Sequence, residues 1–331
     1  MFLSVVAAAL AAGPVNVELV LDEDLQALGL DEAQLEEAME NAANEQMRLP
    51  EMGQYLAQMA DANVLSAKGL GVDYASNMQR FAVGGGFGSA VNEGGFRFVA
   101  GEEPLPDTGF AFQISAMAGL NLGVFSKEES ALRRVKLYVN GMKASTQRDP
   151  FTGTFLNYGG HLQIKLIGGA GDQEQGVAEW GGIDVTAGYE YSSYTLQLAQ
   201  DFPISSGDLA WTAEGTYEIS SEVQSVPLEV STNFRVLVVS VFGGAGFDYN
   251  LSGRADNEIE VGGPLTYTYE GKAYEAGSAT ATMNASGFAS EYTPRVFAGA
   301  QVNVFLVKLY GQLNVTFDRS VGGHLGVRAV M

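Results

Sequence analysis

A chain of 331 residues with 42 glycines and 17% charged residues has room for one large β domain and a smaller appendage, and is too apolar to be mostly disordered. Its formal charge of −21 excludes nucleic acid as a partner, because a polyanion repels phosphates and no basic patch interrupts it. The absence of cysteine excludes disulfides, thiolate metal sites and thiol catalysis together, and suits an oxidising compartment entered unfolded.

The first element is a short apolar run from Phe2 to Ala12 that ends in Ala9-Leu10-Ala11, an Ala-x-Ala type cleavage site. Residues 1–12 are therefore expected to be a signal peptide, although the run has no Lys or Arg ahead of it. No later segment reaches the ~18 continuous apolar residues of a spanning helix, so any membrane crossing must be made by strands. Residues 13–77 form an acidic segment in which, between about Glu18 and Ala67, helix formers dominate. Asp31 followed by Gln34 has the form of a capping box, Pro50 suits a first helical turn, and Leu35, Met39, Ala42 and Ala43 recur at helical spacing. Two short amphipathic helices are predicted, with Lys68 to Asn77 as a linker.

From residue 78 onward the period is two. Phe81, Val83, Gly85 and Phe87 open the series, and Phe110, Phe112, Ile114, Ala116 and Ala118 continue it. Leu162, Ile164 and Leu166 alternate with His161, Gln163 and Lys165; Leu228, Val230 and Phe234 alternate with Glu229, Ser231 and Arg235. Leu209, Trp211, Ala213, Tyr217 and Ile219 alternate with Thr212, Glu214, Thr216 and Glu218, and are read as facing lipid, with Trp211 and Tyr217 near the two edges of an apolar band. The last residues, from Arg295 to Met331, are strands almost throughout. Successive strand side chains point to opposite faces, so each strand has an apolar and a polar face, and many segments reach the ~9–11 residues that a spanning strand needs. The prediction for residues 78–331 is an all-β, transmembrane, antiparallel up-and-down β-barrel of about twelve strands, with fourteen as the alternative. Tight turns are expected near Phe305 and Val239, and Ser252 to Thr293 is expected to be one long outer excursion.

From Gln79 to Met331 this pattern resembles the Gram-negative outer-membrane β-barrel proteins that carry a short N-terminal helical segment. In layout it is also similar to the long-chain fatty-acid transporter family. Many such barrels end in an aromatic residue read by the assembly machinery; here Met331 holds that place. The resemblance implies an integral outer-membrane location, with outer-membrane lipid, lipopolysaccharide and the barrel assembly machinery as partners.

Polar-parity side chains are the candidate lumen lining: Lys136, Lys165, Glu190, Glu214, Arg235, Arg295, Lys308, Tyr310 and Arg328. Gly84, Gly86 and Gly88 leave the first strand without lumen side chains and are candidate contacts for a plug made by the N-terminal helices. His161 and His324 also fall on the lumen parity, away from membrane lipid, so no catalytic residue, metal or cofactor is expected. The functional expectation is a channel or transporter for small or amphipathic solutes with a partly plugged lumen, acting as a monomer. The alternative is a structural or adhesive barrel with a closed lumen that works through its long outer loop.

Overall fold

The computed structural model describes residues 16–21, 32–46, 49–92, 108–126, 130–148, 151–168, 177–206, 208–269, 271–317 and 320–331; the expected signal peptide and Asp31 lie outside them. A short strand β1 (Asn16–Leu21) precedes two helices, α1 (Glu32–Gln46) and α2 (Leu49–Ser66). Ten of the remaining strands follow in chain order: β2 (Phe81–Asn92), β3 (Gly109–Asn121), β4 (Val135–Arg148), β5 (Phe151–Ile167), β6 (Ala178–Ser206), β7 (Leu209–Val236), β8 (Val239–Tyr269), β9 (Lys272–Phe288), β10 (Tyr292–Val304) and β11 (Val307–Thr316). The last is β12 (Ser320–Val330). The helices fall where the sequence predicts them, but Asn16–Leu21 is a strand paired with β9, because Val17, Leu19 and Leu21 alternate inward against Asn16, Glu18 and Val20.

All twelve strands belong to one antiparallel sheet; eleven of them come from residues 78–331, where about twelve are expected, and the other is β1. They do not all stand around one ring. The circuit runs β8-β10-β11-β12-β2-β3-β4-β5-β6-β7 and returns to β8, so ten legs enclose the lumen. The β8 strand is long enough to have two partners on one edge: Val239–Tyr249 pairs with β10, and Arg254–Tyr269 pairs with β9. Leu265 to Tyr274 and Ala279 to Ala285, whose alternation would supply the further pair of the fourteen-strand alternative, are therefore part of the β8–β9 hairpin, outside the ring. One end of the ring carries the two-residue turns after β7 and β10, with Leu237 (φ 53°) and Phe305 (φ 52°) in left-handed backbone, together with the junction of Phe81 and Met331. The other end carries the long projections of β6, β7, β8 and β9.

Those projections form a cap with the opposite polarity to the ring. In the ring, β7 turns Leu228, Val230 and Phe234 outward, 42–51% exposed, and buries Glu229 and Ser231. In the cap the same strand buries Trp211, Ile219 and Val223 on its inner face and exposes Thr212, Glu214, Thr216 and Glu222. β8 and β9 do likewise: Ile259, Val261, Ala281 and Met283 are buried, while Glu258, Glu260, Thr280 and Thr282 are exposed. An apolar outer face suits hydrocarbon and a polar outer face suits water, so the reversal near residues 191–194, 223–226 and 251–255 marks the membrane boundary. Tyr158 stacks on Tyr191 with ring centroids 4.7 Å apart, and Tyr249 on Tyr292 at 5.4 Å, placing an aromatic girdle at this level. Trp211 and Tyr217 are thus cap interior rather than band edges: their strand has already left the bilayer, and α1 and α2 cover its inner face.

Candidate functional site

α2 packs inside the cap and the upper ring. Asn63 binds three wall strands, donating to Ser221 Oγ at 3.1 Å and accepting from Gln113 Nε2 at 3.0 Å and Ser192 Oγ at 2.6 Å. Asp61 accepts from the Ser290 amide at 2.8 Å, where β9 gives way to β10. After Ser66 the chain does not leave. Residues 67–78, of which Lys68 to Asn77 is read from sequence as a linker, descend through the lumen to the start of β2, and Lys68, Leu70, Val72, Asp73, Tyr74 and Met78 are each at most 1% exposed. Gly69 takes φ +83°, and a Cβ there would lie 2.6 Å from the Gln312 side chain, so the first turn of this thread needs glycine.

Midway down, the wall contributes three carboxylates, Glu190, Glu229 and Asp248, against one guanidinium, Arg295. The thread supplies the missing cation. Lys68 Nζ lies 2.5 Å from Glu190 Oε2, 3.4 Å from Asp248 Oδ1 and 2.7 Å from Ser225 Oγ. Arg295 pairs with Glu229 through Nη2, with Asp248 Oδ2 at 2.8 Å through Nε, and with Asn314 Oδ1 at 2.9 Å through Nη1. Tyr74 of the thread donates to Glu229 Oε2 at 2.7 Å. Lower down, Arg328 Nη1 donates to the Val72 carbonyl at 3.0 Å and pairs with Asp73 Oδ1 at 3.1 Å, while its guanidinium lies 3.8 Å from the Tyr310 ring centroid. Asp73 Oδ1 also accepts from the Ala75 and Ser76 amides at 3.1 and 2.8 Å, folding the thread into a local turn. Gln301 donates to Ser76 Oγ and Asn233 to the Tyr74 carbonyl, at 2.8 and 2.9 Å.

The predicted lining divides accordingly. Glu190 and Arg328 bind the thread directly, Arg295 holds the wall carboxylates that Lys68 and Tyr74 of the thread also bind, and the Tyr310 ring lies against the Arg328 guanidinium. Lys136 reaches Gln163 Oε1 at 3.3 Å, and Lys165 the Gly181 carbonyl and, at 3.5 Å, Asp184 Oδ2; both are buried in the wall. Arg235 pairs with Glu179 at 2.5 Å and Lys308 with the Phe305 carbonyl at 2.8 Å, both toward the short-turn end. Glu214 does not line the lumen: it sits on the outer, solvent face of the cap, where the inward parity belongs to the apolar set. Glu218 shares that outward face. Of the three glycines, Gly88 abuts the Ser66 carbonyl and Gly86 has Leu70 at 3.1 Å from where its Cβ would be, whereas Gly84 meets Arg328 and the β12 backbone rather than the thread. His324 Nε2 lies 3.0 Å from the Ser66 carbonyl, and its Nδ1 3.0 Å from Asn314 Nδ2.

Lys68, Asp73 and Tyr74 escape sequence reasoning because their segment has no period. The signal that could have found them is the charge imbalance of the wall around Arg295, which calls for a cation from elsewhere.

A family model described as Lsa36-like matches residues 16–331. The chain belongs to the Lsa36-like family. No curated protein matches it. Among solved structures it is similar to the Acinetobacter baumannii outer membrane protein Omp33, at 10% identity over 77% of this chain and 99% of that one, with a TM-score of 0.26. It is similar to the translocator domain of the autotransporter NalP from Neisseria meningitidis, at 11% identity over 88% and 98%, with a TM-score of 0.31. The Ralstonia pickettii toluene transporter TbuX is similar at 9% identity over 83% and 91%, with a TM-score of 0.25. Likenesses of this order carry nothing about what the chain does.

Proposed function

We propose that the protein is an outer-membrane transporter for small or amphipathic solutes, closed at rest, whose path is controlled by the segment threaded through its lumen. The observation behind this reading is how the lumen is filled. An eight-stranded barrel is just wide enough for side chains to fill. Ten legs enclose more, and residues 67–78 occupy that space: Lys68, Asp73 and Tyr74 bind the wall through ion pairs and hydrogen bonds, contacts that water or a polar solute can replace, while Val72, Ala75 and Met78 pack with the Tyr74 ring against Phe242 and Phe297 below. The ion pairs at Lys68 and Asp73 are what a filling meant only to stiffen the barrel would not need, since buried ion pairs add little net stability over apolar packing of the same volume.

The apolar outer belt and tyrosine girdle suit a Gram-negative outer membrane, where the barrel would meet lipid, lipopolysaccharide and the assembly machinery, as a monomer. No catalytic chemistry is assigned to it, because its inward histidines contact the plug and the wall. A second reading, a closed structural or adhesive barrel acting through the β8–β9 hairpin, is favoured by the projection of that hairpin beyond the girdle.

Conductance of the refolded full-length chain in planar bilayers, after heat-modifiable gel migration has shown a folded barrel, tests the proposal. The native chain is expected to be silent with rare openings, and Lys68→Met to open often. A folded Lys68→Met barrel as silent as the native one would overturn the transport reading in favour of the second.

A further inference from the structure

The ring has one incomplete seam among its described residues. β3 and β4 are paired only from Ala116 to Asn121, opposite Gly141 to Lys136. Beyond that point Gly109 to Ser115 pairs with β2 alone, and Met142 to Arg148 with β5 alone, leaving a flap that is exposed or half-exposed on both faces. Two contacts bridge the opening. Phe155, which points inward from β5, meets Phe112, which points outward from β3, with ring centroids 4.5 Å apart, an approach that an intervening β4 would block. Asn157 Nδ2 donates to the Ile114 carbonyl at 2.7 Å and to Gln113 Oε1 at 3.0 Å, so a side-chain amide stands where a ladder N–H would be.

A cavity of about 240 Å³ lies in the seam, lined by Phe112, Ile114, Met142, Phe151 and Phe155 among others, with the hydroxyl residues Ser145 and Thr146. Its level is set by Gly141, which ends the paired stretch and stands opposite the girdle residue Tyr158. Inward, Phe155 packs on the apolar cluster of the cap. Within that interior Trp211 Nε1 and both amide atoms of Asn257 are buried without a hydrogen-bond partner. Such groups in an apolar surround are what a ligand site offers.

We propose that the seam is a side portal through which a single-chain amphiphile, dissolved in the leaflet on the cap side, reaches the interior of the cap. The inference rests on the transporter reading and names its substrate class. The cavity is smaller than the ~300–1,000 Å³ of sites for drug-sized ligands, so it admits one hydrocarbon chain rather than a two-chain lipid. The hydroxyls at the seam and the unpartnered indole and amide inside would serve the polar end.

Extending the register places Ile114 opposite Lys143, so Ile114→Cys with Lys143→Cys can staple the seam shut. In a Trp180→Phe background, Trp211 is the sole tryptophan. With the chain in phosphatidylcholine vesicles and 2-bromododecan-1-ol, whose bromine sits beside its polar end, as the probe, Trp211 fluorescence is expected to be quenched in the reduced protein. Oxidation should remove most of that quenching, and dithiothreitol should restore it. Quenching that is the same in both states means another route, and overturns the portal while leaving transport intact. No quenching in either state also overturns the portal, and conductance then decides separately on transport. Should the stapled chain not fold, Phe155→Ala alone widens the inner mouth and is expected to speed quenching; an unchanged rate overturns the proposal.

Discussion

Lys68 sets its ammonium 3.4 Å from Asp248 Oδ1, so a cation carried by the threaded segment completes the charge balance of a wall carboxylate whose other oxygen is held by Arg295. Neither strand β8 nor the thread is neutral in this region without the other.

Removing that ammonium should therefore be severe. Lys68→Met leaves Glu190 and Asp248 facing each other's field with one cation fewer, and breaking a buried pair from one side costs about 3–5 kcal/mol. Urea unfolding of the vesicle-inserted protein should show a loss of this order, and a loss near zero would mean that water already reaches the pair.

The reversal of polarity along β7 gives a three-way comparison on a single strand. Val230→Arg puts a charge on the lipid face and should cost about 2–4 kcal/mol if the site is near the midplane. Thr216→Arg, on the outer face of the cap, should stay within about 0.5 kcal/mol. Ile219→Arg buries a charge in the cap cluster and should destabilise the cap most, read as a shift in Trp211 emission. If Thr216→Arg proved as damaging as Val230→Arg, the cap would lie in the membrane.

Much of this architecture is legible in the sequence because strand period survives any tertiary context: the helices, the tight turns near Phe305 and Val239, and the inward Arg295 and Arg328 all follow from spacing alone. The reversal was in plain view too. On β7 the apolar set changes parity from Trp211, Tyr217 and Ile219 to Leu228, Val230 and Phe234 while the strand runs on unbroken. Each run taken separately looks like a lipid-facing face, and only the pairing of the whole strand with β8 shows that one of them points the other way. The thread was illegible for another reason: its residues are placed by partners scattered from Glu190 to Arg328, and nothing local in residues 67–78 announces them.

Close approach of the plug to the first ring strand makes a steric prediction. A side chain at Gly88 would strike the Ser66 carbonyl and the His324 ring, so Gly88→Val should cost about 1–3 kcal/mol by overpacking and push the end of α2 upward. Gly160 faces outward with nothing nearer than 3.8 Å, and Gly160→Ala should be tolerated. Limited proteolysis of the two variants would show whether only the first loosens residues 67–78.

Alkali should undo the cap before the ring. Burial pushes the Tyr55 hydroxyl up to about 12 and raises that of Tyr217 as well. Raised acids favour the folded state below the unfolded pKa of about 10, and this contribution disappears as pH climbs above it, because the unfolded chain then ionises first. Trp211 emission should shift red between about pH 10 and 12 while gel heat-modifiability persists, and simultaneous loss of both would contradict separate cap unfolding.

The thread also decides where the two ends of the described chain stand. β12 finishes beside Phe81 at the short-turn end, whereas β1 is paired with residues 277–282 near the tip of the β8–β9 hairpin, at the opposite end. The polypeptide between them passes through the middle of its own ring, so residues 16 and 331 lie on different sides of the bilayer. An epitope placed at each would be reached by antibody from one compartment only, and a ring that closed before the thread was inside would leave both on the same side.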